Sequence, residues 1–449
     1  FAAGDRERQR VWYELLHGNR GLIIWDQGEK YVEKDGQPSD TGKQAGDLYH
    51  AIRGGEGALI INSHVVNNRI AIHYSQPSLR TQWMLERRPD GAAWMTRSPS
   101  YERSTNDFMR LRESWCNLIE DEGMQPNFVS YDQVEQGDLL KGGYHVLVLP
   151  ESSSLSKAEA TAIREFVAHG GVAIADGIPG TYDEHSRKLP TSSLADLFTG
   201  PNTEQVNMHS YGKGKAILLN ANIISYLQDR LDGKEGPVHQ LIEELLRSID
   251  VHPRFSVEDA AGHSVVGIDA HVYANGGVRI IALQSNPQLR VNELGPADFR
   301  SNERFTKPAT VHLHLPNAMY LYDTMANKGL GEKKELTLTV GPYDPTILVA
   351  SDAPLPEMHV SVPQQVQRGT IANVAINAAP AQADVSVFHV DVVDPNGNRQ
   401  TFYSGNVLAH QGAGVKSIPF AVSDTPGKWT IDVRDVMSGQ SVQQTIDLQ

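Results

Sequence analysis

The sequence predicts a multidomain chain in which a doubly wound α/β unit precedes two all-β sandwich units. Three observations carry this. At 449 residues the chain is too long for one compact core, so about three domains of roughly 100–200 residues each are expected. Between residues 69 and 251, short continuous apolar runs alternate with helical patterns. Beyond residue 251 helix signals nearly vanish, and alternating runs broken by Asn-Gly and Pro turns replace them.

Residues 1–66 open with the helical pattern RERQRVWYELLHGNRG, which ends in a glycine stop. GLIIWD follows, with the unbroken apolarity of a strand buried on both faces, and then a second helical pattern, TGKQAGDLYHAIRGG. Residues 67–251 supply the strand RIAIHYS, the helix TNDFMRLRESWCNLIEDEG, and NFVSYDQV. HVLVLPESSSLSKAEATAIREFVAHGGVAIAD comes next, a buried strand, a serine-rich turn, a helix and a second buried strand. In that helix Ser156 and Glu159 form an S-x-x-E capping box, Ile163, Phe166 and Val167 form the apolar stripe, and Gly170-Gly171 stops it. KAILLN and the helix PVHQLIEELLRSI complete the unit, and helices of about 12 residues between strands imply parallel crossovers. YGKGKAI lacks the order of a phosphate-binding loop and enters a strand, so it is a hairpin turn.

Residues 252–353 read as a β-sandwich. SVVGIDAHVYANGGVRIIALQSN alternates around Asn-Gly-Gly, and TVHLHLP, MYLYDT and KELTLTVGPYDPTILVA continue as short strands. After the Pro-punctuated SDAPLPEMHVSVP, residues 354–449 carry the size and turn spacing of an immunoglobulin-like module.

Forty Lys and Arg against 54 Asp and Glu leave a formal charge of −14, which repels phosphate backbones, so no nucleic-acid partner is expected. No apolar run approaches the roughly 18 residues of a bilayer span, so no membrane span is expected. Cys116 is the only cysteine, which excludes an intrachain disulfide and a Cys-based zinc cluster; mid-helix beside Trp115 it reads as a small buried hydrophobe. The chain starts at Phe1 without a methionine or a signal-peptide pattern, and a segment upstream is expected.

Two stretches invite chemistry. The serines of PESSSLS stand where hydrolases place a nucleophile, but a nucleophile elbow wants small neighbours and this turn has Pro and Glu. Turn and cap roles are therefore expected for Ser152, Ser153 and Ser154. In ADGIPGTYDEHSR, Asp176, Asp183 and His185 follow a strand end, the usual ligand position in open α/β sheets. Together they offer the donor set for a divalent cation, although loop-ordering hydrogen bonds explain the same residues. The two histidines of HLH at 312–314 share one face of a strand and need no metal to explain them.

Over roughly residues 1–353 these segments resemble, in order, the C-terminal half of the family 42 glycoside hydrolases, β-galactosidase-like enzymes. The likeness is carried by WYELLHGNRGLIIWD, IAIHYSQPS, the stretch from LIEDEGMQPNFVSYDQVEQGDLLKGGYHVLVLPESSS to GIPGTYDEHSRKL, YGKGKAILLN and YLYDTMANKGLG. It implies that residues 1–66 are the C-terminal end of a TIM barrel and that 67–251 are a trimerisation domain built like a flavodoxin-type, class I glutamine amidotransferase fold. Residues 252–353 would then be the β-domain. An amidotransferase needs a Cys at a strand-to-helix elbow, and here the only Cys is mid-helix.

The resemblance also implies that Trp25 and Asp26 stand at the end of the last barrel strand, where they either line the sugar site as a stacking wall and a hydroxyl partner or simply close the barrel. Retaining glycosidases use two carboxyl groups about 5–5.5 Å apart. In the resembled family both sit on earlier barrel strands, so they are expected before Phe1 and no catalytic residue is expected within this chain. The implied partners are two further copies of the chain, as a homotrimer, and carbohydrate bound through the barrel. No cofactor is expected, and a secreted or periplasmic setting is. The alternative is a non-catalytic structural or assembly protein that keeps the glycosidase scaffold.

Overall fold

The computed structural model describes residues 5–21, 23, 30–87, 107–199, 204–286 and 307–449. The N-terminal segment contains α1 (Asp5–Leu16), α2 (Asp40–Ala51), a π-helical turn (Ile52–Glu56), α3 (Gly57–Ile61) and the short β1 (His64–Val65). Ser39 caps α2 by accepting from the Gly42 N–H at 3.0 Å. Val11, Trp12, Leu15 and Leu16, spaced on one helical face, pack with Leu48, Leu59 and Ile60. Gly55, at φ +129°, presses the π-helical turn onto the C-terminal module, where a Cβ would meet Val436 Cγ2 at 2.3 Å.

The α/β unit runs through β2 (Ile70–Tyr74), α4 (Gln76–Arg87), α5 (Asp107–Asp121), β3 (Asn127–Ser130), α6 (Tyr131–Glu135), α7 (Asp138–Lys141) and β4 (Val146–Leu149). It continues with α8 (Lys157–Ala168), β5 (Val172–Ala175), β6 (Val206–Tyr211), β7 (Gly214–Leu219), α9 (Tyr226–Asp232) and α10 (Gly236–Ser248). Its sheet has the order β3-β2-β4-β5-β7-β6, parallel except for the edge hairpin β6–β7 around Gly212. The two-residue period of the strands separates two cores. Ile70, Ile72, Val146, Val148, Val172 and Ile174 pack with α5 and α10, while Ala71, Leu147, Leu149, Ala173 and Ala175 pack with α8. Helices thus cover both faces, and the strand order reverses between β2 and β4.

The next unit comprises β8 (Ser256–Glu258), β9 (Ile268–Asn275), β10 (Val278–Ser285), β11 (Ala309–Asp323), β12 (Lys328–Val340) and β13 (Thr346–Ser351). It differs from the expected pair of facing sheets. The strands form one hydrogen-bonded sheet, β1-β9-β10-β13-β11-β12, with β8 beside β11. The two strands expected at TVHLHLP and MYLYDT are one strand, β11, with a register shift between His314 and Met319. Before the shift β11 pairs with β8 and after it with β13, so the irregularity curls the sheet around Val257, Ile281, Leu313 and Leu348. Its other face, with Tyr273, Ile280, Ile347 and Val349, is covered by α1, α2 and α3. Because β1 pairs with β9, His64 opposite Ala274 and Val65 opposite Tyr273, the N-terminal segment completes this sheet.

The last unit contains β14 (His359–Ser361), β15 (Gln365–Val366), β16 (Ile371–Asn377), β17 (Val385–Val393), β18 (Gly405–His410), β19 (Ala413–Pro419), β20 (Gly427–Asp435) and β21 (Ser441–Leu448). Strands β14-β16-β19 make one layer and β18-β17-β20-β21-β15 the other, joined only where His410 pairs with Ala413. Val374, Ile376 and Ile418 from the first layer meet Val390, Trp429, Ile431 and Ile446 from the second. Arg434 ties this module to the N-terminal segment, donating from Nη1 to Glu56 Oε1 (3.1 Å) and from Nη2 to the Gly54 carbonyl (2.8 Å). No described helix is long and apolar enough to cross a membrane.

Candidate functional site at the carboxyl edge of the parallel sheet

Ligands of open α/β sheets bind outside the carboxyl ends of the strands, at the point where strand order reverses. Here that point lies between Tyr74, ending β2, and Pro150, following β4, so the serine-rich turn stands at it. The strand-to-helix elbow is occupied by Glu151, which adopts φ +38°, a left-handed conformation uncommon for a residue with a Cβ.

The three serines follow and turn inward. Ser152 Oγ lies 2.9 Å from His73 Nδ1, and His73 Nε2 lies 3.0 Å from Glu159 Oε1. The chemical order is that of a Ser-His-acid relay, which the sequence, with His73 far upstream, gave no reason to assemble. Two features remove it from hydrolytic chemistry. The imidazole is reversed, since a hydrolase triad presents Nε2 to the serine and Nδ1 to the acid. All three side chains are also sealed, with Ser152 1% exposed and His73 and Glu159 at 0%, so a substrate carbonyl has no approach. Glu159 is engaged as the expected capping box, its Oε2 accepting from the Ser156 N–H (2.7 Å) while Ser156 Oγ accepts from the Glu159 N–H (3.0 Å). The relay therefore fastens β2, the elbow and the start of α8 together. Ser154 donates to Thr81 Oγ1 (2.6 Å), and its backbone exchanges hydrogen bonds with Ser78 Oγ. Ser153 is buried, and its hydroxyl has no hydrogen-bond partner among the described residues.

The titratable chemistry at this edge belongs to two carboxyl groups. Asp176, following β5, accepts from the Glu151 N–H through Oδ1 (2.7 Å) and from Trp115 Nε1 through Oδ2 (2.8 Å). Burial pushes its carboxyl up to about 6, against the lowering effect of those two donors. Burial pushes Glu151 up to about 7, and the negative charges of Asp176, Asp107 and Glu86 add to the effect. The Arg112 guanidinium stacks over the Tyr74 ring, 4.9 Å from its centroid, at the same edge. Near neutral pH the Glu151 carboxyl can donate or accept a hydrogen bond, whereas a nucleophile is lacking at the elbow. Cys116 sits mid-helix in α5, packed against the core, and burial pushes its thiol up, away from the reactive thiolate.

The expected cation set does not assemble. Asp183 Oδ1 accepts from the N–H groups of Arg187 (2.8 Å) and His185 (3.0 Å), which hold its carboxyl below the usual range. It orders its own loop, His185 is exposed, and Asp176 is committed to Trp115 and Glu151. Among the described residues the His, Asp and Glu groups whose ligand atoms converge are His17, Asp269 and His271. The half-buried HLH pair makes cross-strand contacts, His312 Nδ1 with Thr337 Oγ1 (3.0 Å) and His314 Nε2 with Glu258 Oε2 (3.5 Å). Trp25 and Asp26 lie outside the described residues.

No protein-family model matches the chain. No curated protein matches it either. Among solved structures the chain is similar to an apo exo-carrageenase GH42 from Bacteroides ovatus, with a TM-score of 0.44 and 14% sequence identity over 79% of this chain. The chain spans 39% of the length of that enzyme.

Proposed function

We propose that this chain is the non-catalytic, assembly-forming part of a β-galactosidase-like family 42 glycoside hydrolase acting on oligo- or polysaccharide, with the sugar-cleaving carboxylates contributed from outside these 449 residues. The observation that carries the proposal is the occupant of the elbow. An amidotransferase-like layout would place its nucleophile there, and this chain places Glu151, with the neighbouring serines sealed and the only cysteine elsewhere. The ordered sequence resemblance over residues 1–353 supports the family, and with it a trimer and a role for Trp25 and Asp26 at one wall of the sugar site.

Assay of the isolated chain on aryl β-galactosides is expected to give no turnover, and sedimentation at micromolar concentration is expected to give a trimer. Hydrolysis above background would place the chemistry inside the chain. A stable monomer would remove the assembly role.

A further inference from the structure

Asp269 and His271 lie two residues apart on β9 and so project from one face of the sheet, the face that α1 covers. Tyr273, next on that face, donates its hydroxyl to the Leu16 carbonyl and holds the end of α1 in place. His17, just beyond that end, turns its ring towards His271, with centroids 4.6 Å apart and planes at 80°. His17 Nδ1 lies 2.8 Å from the Tyr13 carbonyl oxygen, which can only accept, so Nδ1 carries a proton and Nε2 is the nitrogen left to ligate.

One ligand atom from each of His17, Asp269 and His271 lies within 4.8 Å of the other two. Asp269 is 0% exposed and His271 4%. Asp269 Oδ1 accepts from Asn286 Nδ2 (2.9 Å), but among the described residues Oδ2 has no hydrogen-bond partner, and neither does His271 Nε2. Leaving such an atom unpaired in the interior is costly, and more so when it is charged. The surrounding charge is negative. Glu120 on α5 approaches His17 Nε2 with Oε1 at 3.8 Å and accepts from Asn286 through Oε2 at 3.1 Å. Asp121 already occupies the nearby cation, Arg230, at 2.7 Å.

We propose that His17, Asp269 and His271 bind one divalent transition-metal cation, zinc first, which clips the end of α1 to β9. Two imidazoles and a carboxylate suit zinc, whereas magnesium and calcium prefer oxygen ligands alone. Zinc bonds of about 2.0–2.2 Å require ligand atoms roughly 3.3–3.5 Å apart, a contraction that side-chain rotation supplies. The outer contacts are those of an orienting shell, since the Tyr13 carbonyl fixes the His17 tautomer and Asn286 fixes the Asp269 carboxylate. The His17 side chain is 24% exposed, which leaves an entry path.

The test uses the full chain stripped with chelator and titrated with zinc by calorimetry, with cobalt absorption as the report on nitrogen ligation. One zinc per chain is expected, together with a rise in unfolding temperature. H17A and D269N are each expected to weaken binding at least about tenfold and to abolish the cobalt band. H17A alters only a partly exposed ring, so it decides the matter if D269N does not fold. H185A, in the loop that orders itself, is expected to bind like the parent. Absence of stoichiometric uptake at micromolar zinc, or uptake that survives both H17A and D269N, would overturn the proposal.

Discussion

Replacing Glu151 by Gln removes a charge from the strand-to-helix elbow and keeps its shape. Glu151 is pushed from 4.5 to about 7 by burial, then by Asp176, Asp107 and Glu86. The folded-state value is raised, so the folded protein binds more protons than the unfolded chain between about pH 4.5 and 7. This contribution to stability is full below pH 4.5 and is lost as pH rises towards 7. At about 1.36 kcal/mol per tenfold change, the difference between 4.5 and about 7 corresponds to at most about 3.4 kcal/mol. Glu151 is only partly buried, and solvent screening reduces this to about 1–2 kcal/mol. Glutamine does not titrate. E151Q is therefore expected to match the parent near pH 4.5 and to be more stable by about 1–2 kcal/mol at pH 8, or about 2–6 °C in unfolding temperature. Urea unfolding at the two pH values, followed by tryptophan fluorescence, measures the difference. A stability change equal at both pH values, or a loss of stability at pH 8, would refute a buried, mutually repelling carboxyl pair at the elbow.

Arg230 and Asp121 form an ion pair with both side chains fully buried, and Asp121 also accepts from the Gly267 N–H (2.8 Å) and the Tyr226 hydroxyl (2.7 Å). R230M strands the carboxylate and is expected to cost about 3–5 kcal/mol in urea unfolding, part of which D121N should return in the double variant. Ser152→Ala leaves His73 Nδ1 without its 2.9 Å partner, so a loss of about 1–3 kcal/mol is expected. A serine-directed fluorophosphonate is expected not to label the parent at Ser152, and stoichiometric labelling there would reopen the nucleophile question.

Where a signal was local, the sequence was enough to read it. The capping box of Ser156 and Glu159 is a spacing of three residues, and the apolar runs around Val146 and Val172 announce strands covered on both faces. The hairpins at Asn275 and at Gly212 likewise follow from turn chemistry. The curl of the middle β-unit was not legible, because the register shift in β11 depends on which strands lie beside each half of it.

Positions in sequence determined the alternation of strands and helices, the solitary cysteine without a partner, and the inability of the serine turn to offer small flanking residues. Tertiary structure alone decided that Glu151 takes the left-handed elbow, that His73 reaches Ser152 and Glu159, and that Asp183 serves its own loop. It also brought His17 to Asp269 and His271 by laying α1 across β9. Capping, turn formation and periodicity act over a few residues and are written where they act. A side chain's burial, its partners and its protonation are set by whichever remote segments the topology brings against it, and no short window of sequence contains them.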